Sequence, residues 1–379
     1  MKNIKRHLKA IRIDLLIYYI SLWLYFISGS LANSMLGQIR AVTFIIRICF
    51  YAAAMGLLVR IVLLKKTQLL SFNIVTVTLI TSAVIYYFSR STIPMLVFLT
   101  LLGAENSNSR VIGMIYFFSS GIIMVISTLL SLAGVIEDRI FIFGVQKYVR
   151  HSFGMTYATI WAAYGFFILA TMFYLRKNKL KPIDYLLCAA FSYVTYQYCH
   201  ARLEAGMIIV LILLLTFLTV IENMKLFKWA TTNSFLFSAV SVYCLQYAFS
   251  INPDKFKVID YYLSWRLQQT AKVLSQYGFK LFGQVMRMQG NGTVNFDPKL
   301  GYFFVDSFYL NYGLRYGIVF IVLLTAIITM VFYKLYYRKY YRELVFFALA
   351  SFHGIIISSI MLPFMNPLFL MAYAEYSKE

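Results

Sequence analysis

Residues 251–311 read INPDKFKVIDYYLSWRLQQTAKVLSQYGFKLFGQVMRMQGNGTVNFDPKLGYFFVDSFYLN, the one long polar interval in a chain otherwise built of hydrophobic stretches. Hydrophobic spans flank it on both sides, so it must leave and re-enter whatever apolar medium those spans occupy. Within it Ile259, Leu263, Leu267 and Leu274 recur at helical spacing, and the pattern stops at Gly278, a residue suited to closing a helix. Arg266 falls beside that apolar stripe. The spacing predicts an amphipathic helix on a membrane surface, presenting cationic and tyrosine side chains.

Working outward, the composition sets the class. Of 379 residues 61% are hydrophobic and only 13% charged, and a mean hydropathy of +0.73 excludes a soluble globular domain. The expected fold is all-α: a polytopic transmembrane helical bundle of about 11–12 spans with one large external loop containing the amphipathic helix. The chain divides into transmembrane residues 1–250, an external lobe 251–312 and a transmembrane part 313–379. The formal net charge of +21 sits in short linkers between spans, where it reads as a topological signal rather than as nucleic-acid binding. Cys49, Cys188, Cys199 and Cys244 lie in or beside apolar stretches without metal-ligand spacing and read as small hydrophobes. No metal site or cofactor is expected.

The first apolar stretch, 11–31, is long enough to span a bilayer and lacks a small-residue cleavage site, so it is expected to remain as the first helix. The basic opening MKNIKRHLK before it predicts a cytoplasmic amino terminus. Further spans are expected near 42–64, 69–88, 92–103, 111–133, 155–175, 183–199, 205–221, 234–250 and 313–332. With these, Lys65-Lys66, the linker 104–110, RKNKLK at 176–181, ENMKLFK at 222–228 and KLYYRKYYR at 334–342 all fall on one side. After Leu344, His353, Pro363 and Pro367 interrupt the apolar pattern, leaving one span plus an interfacial piece or two short spans. Arg60 is expected to reach back toward the inner surface, and no internal or inverted repeat of the kind that marks transporters is visible.

Polar residues gather at the outward span ends. Arg150 and His151 precede the sixth span, and His200, Arg202 and Glu204 precede the eighth. The long loop adds Asp260, Arg266, Lys272, Lys280, Arg287, Asp306 and Arg315. Arginines converging on one membrane face suit a bulky anionic head group, because guanidinium is always charged and pairs with phosphate oxygens. An isolated arginine of this kind, such as Arg139, more commonly reaches for lipid phosphates. His151 and His200 have no carboxylate at a fixed spacing, and His353 reads equally as a packed helix residue or a site residue. Tyr261, Tyr262, Tyr302, Phe303, Phe304, Tyr309 and Tyr312 fit an interfacial aromatic belt and could also stack on sugar rings. The first outward segment, 32–41, has no acidic residue, and P-loop, HExxH and GxSxG patterns are absent. An enzyme of this composition must take a substrate that arrives already activated.

RHSFGM at 150–155, HARLEAG at 200–206, DYYLSWRLQQTAKVLSQYGFKLFGQ at 260–284 and FFVDSFYLNYGLRYG at 303–317 together resemble the Wzy-type polysaccharide polymerases, which are related to the O-antigen ligases. The resemblance rests on Arg266-Leu267, Phe282-Gly283 and Asp306-Ser307, with Ala201 before Arg202 and FGQV in place of a turn with a second glycine. It implies transfer between polyprenyl-pyrophosphate-linked oligosaccharide repeats at the outer face of the cytoplasmic membrane, with no metal or nucleotide. In that scheme Arg202 and Arg266, supported by Arg150 and Arg315, hold the pyrophosphate, and Glu204, Asp306 or His151, in that order, serves as base. Membrane lipid, a chain-length regulator and a flippase are the partners it implies. The alternatives are a flippase or exporter of the same lipid-linked sugar and a ligase-like glycan transferase.

Overall fold

The computed structural model describes residues 12–66, 72–143, 148–177, 179–290, 292–293, 299 and 301–376. The basic segment 1–9, on which the expected amino-terminal orientation rests, lies outside them. The fold is an all-α bundle, 73% helical with almost no sheet. In chain order the α-helices are α1 (Ile13–Ala32), α2 (Arg40–Lys66), α3 (Phe72–Ser89), α4 (Ile93–Gly103), α5 (Ser109–Leu132), α6 (Ala158–Leu175), α7 (Pro182–Gln197), α8 (Arg202–Thr216), α9 (Leu218–Ile221), α10 (Lys225–Thr232) and α11 (Ser234–Ile251). They continue with α12 (Lys257–Tyr262), α13 (Arg266–Tyr277), α14 (Phe308–Tyr316), α15 (Ile318–Tyr337), α16 (Tyr341–His353) and α17 (Leu368–Tyr376). Strands β1 (Ile140–Phe143) and β2 (Tyr148–His151) form an antiparallel hairpin between α5 and α6.

Among the described residues six helices, α1, α2, α5, α6, α11 and α15, are long and apolar enough to cross a membrane, which makes this a multi-pass membrane protein. Among the described residues the expected eleven or twelve spans are not reached by length. Several of them are short helices instead, and two are broken. Along the chain α1 packs on α2 and α5, α5 on α6, α7 on α8, and α17 on both α5 and α15.

Polar ties fix which helix ends lie together. The guanidinium of Arg60, fully buried, bonds the carboxylate of Asp14 and donates to the carbonyls of Gly103 (3.2 Å) and Glu105 (2.7 Å). It reaches toward the end that carries the 104–110 linker, as expected, but is buried there against partners from α1 and the α4 end, as a buried cation requires. Glu375 bonds Ser109 and accepts from the Tyr174 hydroxyl (2.8 Å), and Arg338 donates to the Glu375 carbonyl (3.3 Å). The basic linkers thus collect at one end. At the opposite end Ser34 bridges Met155, and the His151 amide donates to the Tyr198 carbonyl (2.9 Å).

The expected span 313–332 is two helices, broken at Gly317, whose φ is +96°. A Cβ there would lie 2.3 Å from the Leu281 carbonyl oxygen. The chain at 280–284 crosses this break and satisfies the first free amides of α15, with Ile318 donating to the Lys280 carbonyl (3.0 Å) and Val319 to that of Leu281 (3.1 Å). Gly283, at φ +84°, sits against the backbone of Arg315 and Tyr316, and Phe282 stacks on Phe88 of α3 at 6.1 Å. The Phe-Gly pair read from sequence is therefore a clasp over the α14–α15 junction.

After Leu344, where one span plus an interfacial piece or two short spans were expected, the described residues form two short helices. At 1.5 Å per residue α16 and α17, with 13 and 9 residues, are each well short of a bilayer's roughly 30 Å. Residues 354–367 between them are irregular, and several of their carbonyls are taken up by neighbouring elements or within the segment itself. Tyr116 donates to the Met365 carbonyl (2.8 Å), the Phe308 amide to that of Gly354 (2.9 Å) and the Asn366 side chain to that of Ile360 (2.9 Å). Phe364 fits against Gly29 of α1, where a Cβ would come within 2.1 Å of its ring.

Candidate functional site

A cavity of about 780 Å³ opens at the end of the bundle away from the basic linkers. Its polar walls come from Arg150 on β2, Glu204 in the first turn of α8, Arg266 and Gln269 on α13, and Asp306 just before α14. Tyr157, Trp265, Tyr302 and Phe304 add aromatic surface. Its apolar floor is the irregular segment, through Ile356, Ile357, Leu362, Phe364 and Met365. Non-helical backbone at such depth is tolerated where it lines a cavity, and here it does.

The predicted helix over 259–278 is broken into α12 and α13, since Ser264 (φ +57°) and Trp265 (φ +63°) both adopt the left-handed conformation. Gly278 closes α13 as the spacing predicts, its amide donating to the Leu274 carbonyl at 2.9 Å. The break places Arg266 at the first position of α13, facing the cavity. Its Nε donates to Asp306 Oδ2 at 3.0 Å. The Tyr302 hydroxyl lies 3.1 Å from both oxygens of the same carboxylate. Burial, then the neighbouring Asp306 charge, pushes the Tyr302 hydroxyl up, so it stays protonated and donates. Both oxygens of Asp306 are thus engaged, and its contact with Arg266 runs through Nε.

Glu204 is buried, and it precedes the apolar run that starts at Ala205. Burial pushes its carboxyl above the usual range and the Asp306 charge adds to this, while Arg266 and Arg150 pull it back. These four side chains, from four segments far apart in sequence, therefore feel one another across one cavity. Among the described residues no three His, Cys, Asp or Glu stand close enough together to hold a metal ion.

The other residues singled out in sequence stand elsewhere. Arg202 is exposed at the start of α8 and does not line the cavity. Arg315 lies over the ring of its neighbour Tyr316, 5.5 Å from the centroid, also outside the lining. His151, outside it too, has a carboxylate partner that sequence spacing did not reveal: its Nδ1 is 2.6 Å from Asp138 Oδ2. Asp138 also accepts from the amides of Ser152 (2.9 Å) and Phe153 (2.8 Å), so it folds the segment after β2 as well as fixing the imidazole. Burial and then the charges of Arg150 and Arg202 hold the pKa of His200 below its ordinary value. His353 is fully buried between Phe166 and Phe167, at 4.4 and 5.2 Å, and neither ring nitrogen has a hydrogen-bond partner among the described residues. Arg139 donates to the carbonyls of Thr156 (3.2 Å) and Gly292 (3.4 Å), joining the cavity's rim segments. Of the aromatic set, Phe303, Tyr309 and Tyr312 are core, Tyr302 and Phe304 line the cavity, and Tyr261 and Tyr262 are exposed. Trp265, Gln269, Tyr157 and the floor residues carried no sequence signal beyond their hydropathy.

No family model matches the chain, and no curated protein or solved structure matches it either.

Proposed function

We propose that the chain is a membrane glycosyltransferase, a polymerase that joins polyprenyl-pyrophosphate-linked oligosaccharide repeats at the outer face of the cytoplasmic membrane. The observation that carries this reading is the convergence of Arg150, Arg266, Glu204 and Asp306 on one cavity whose floor is apolar and whose rim is aromatic. A ligand matching those walls is amphiphilic: anionic in the middle, oily at one end and able to stack at the other. The external placement of the segment between α11 and α14 belongs to the same proposal and follows from the basic linkers at the other end.

In this mechanism the pyrophosphate of the donor lies against Arg266 and Arg150. A hydroxyl of the incoming repeat attacks the anomeric carbon, and the new glycosidic C–O bond forms as the C–O bond to pyrophosphate breaks. The electron pair leaves with the pyrophosphate, whose growing charge the guanidinium groups stabilise. The hydroxyl proton passes to Glu204, whose raised pKa makes it a better base than an ordinary carboxylate. Asp306, held by Tyr302 and Arg266, aims the guanidinium rather than taking the proton. Arg202 and Arg315, outside the cavity, have no part in this scheme.

The test is reaction of the purified protein in liposomes with its lipid-linked repeat, with products resolved by length. A ladder of products is expected, lost with Arg266→Ala or Glu204→Gln and retained with Arg202→Ala. Absence of the ladder from folded protein, with movement of the lipid-linked sugar across the bilayer, would replace the polymerase by a flippase. Transfer of finished glycan to a different acceptor would replace it by a ligase.

A further inference from the structure

We propose that Asp260 is a positioning residue for Arg266, holding the start of α13 so that the guanidinium meets the cavity; this rests on the reading of that cavity as a pyrophosphate site. A helix begins with backbone amides that have no partner in their own helix. The residue before α13, Trp265, offers no side-chain cap. The cap comes instead from α12: Asp260 Oδ1 accepts from the Leu267 amide at 2.8 Å and Oδ2 from the Gln268 amide at 3.2 Å. The Asp260 carbonyl accepts from the Trp265 amide at 2.8 Å. One residue, 1% exposed, thus closes the whole turn from 260 to 268.

The turn needs such a clamp. Ser264 and Trp265 are consecutive residues with a Cβ in the left-handed conformation, which is unfavourable without glycine and persists where surrounding contacts impose it. Arg266 follows this turn directly and lines the cavity, so relaxation of the turn moves the guanidinium. The positive end of α13 is also taken up by the Asp260 carboxylate, which leaves the anion to the Arg266 side chain. Gln246 of α11 donates to the Leu267 carbonyl at 3.2 Å, an independent anchor that keeps α13 docked when Asp260 is changed.

Binding of farnesyl pyrophosphate to the full chain in detergent, measured by titration calorimetry, tests this. Asp260→Ala should weaken binding about tenfold, the scale of a lost helix cap. Asp260→Asn, which keeps one acceptor oxygen, should fall between it and wild type. The double variant Asp260→Ala, Arg266→Ala should bind no worse than Arg266→Ala alone, because a positioning residue acts only through the group it positions. Wild-type affinity in Asp260→Ala, or additive losses in the double variant, would overturn the proposal. If Asp260→Ala does not fold, Asp260→Asn alone and combined with Arg266→Ala carries the same comparison. Undiminished binding by Arg266→Ala would instead sink the pyrophosphate reading itself, whatever Asp260 does.

Discussion

In the proposed reaction Glu204 is the base, and its surroundings set the pH at which it can act. The deprotonated form takes the proton, and burial raises the pKa above the usual carboxylate value. The rate should therefore rise with pH through a limb above about 4.5. Arg266 pulls that pKa down, so Arg266→Gln should move the limb of its residual activity to higher pH, and Glu204→Gln should abolish the limb. A limb that stays put in Arg266→Gln would remove Glu204 from the role of base. At this scale the sequence was partly legible. Arg266, Asp306, Arg150 and Glu204 could be picked out because charges beside apolar runs are conspicuous. Arg202 looked equivalent to Glu204, yet residues two apart on a helix differ by about 200° around its axis. A helix that turns Glu204 inward turns Arg202 out. His151 was mis-set for another reason, since Asp138 reaches it through a hairpin whose pairing no local spacing encodes.

Helix breaks decide how the elements deliver these residues. The break at Gly317 had a visible marker in the glycine, but the crossing chain that caps α15 had none, because it arrives from more than thirty positions earlier. The break at Ser264-Trp265 had no marker, since neither residue is glycine or proline and tertiary contacts impose the conformation. Gly283→Ala places a Cβ 2.3 Å from the Arg315 carbonyl oxygen at a positive φ. It should cost more than about 1 kcal/mol and lower the midpoint of thermal unfolding. Gly121→Ala in α5, where nothing lies within 4 Å of the new Cβ, should hold or raise that midpoint. Equal midpoints for the two variants would mean that the Phe282-Gly283 clasp contributes nothing to stability.

For the whole molecule, the separation of the basic linkers from the cavity is the feature that hydropathy and charge made readable in advance. The span count was less readable, because short and broken helices have the composition of spans without their length. Under the proposed orientation the two ends face different compartments. With Cys49, Cys188, Cys199 and Cys244 replaced, a Tyr262→Cys protein should react with a membrane-impermeant thiol reagent in intact cells. A Lys179→Cys protein should react only after the cells are opened. The reverse pattern would put the cavity on the cytoplasmic side and end the proposal of an outward site.

The floor of the cavity has a consequence for timing. Ile356, Ile357, Leu362, Phe364 and Met365 follow every other wall residue along the chain. A ribosome therefore completes the arginines, the carboxylates and the aromatic rim before the surface beneath them exists. Until residues 354–367 have been synthesised and seated against Gly29, the cavity has no floor, and under the proposed function a nascent chain has no apolar surface there for the lipid part of its substrate. Of all the cavity walls, this floor is made last.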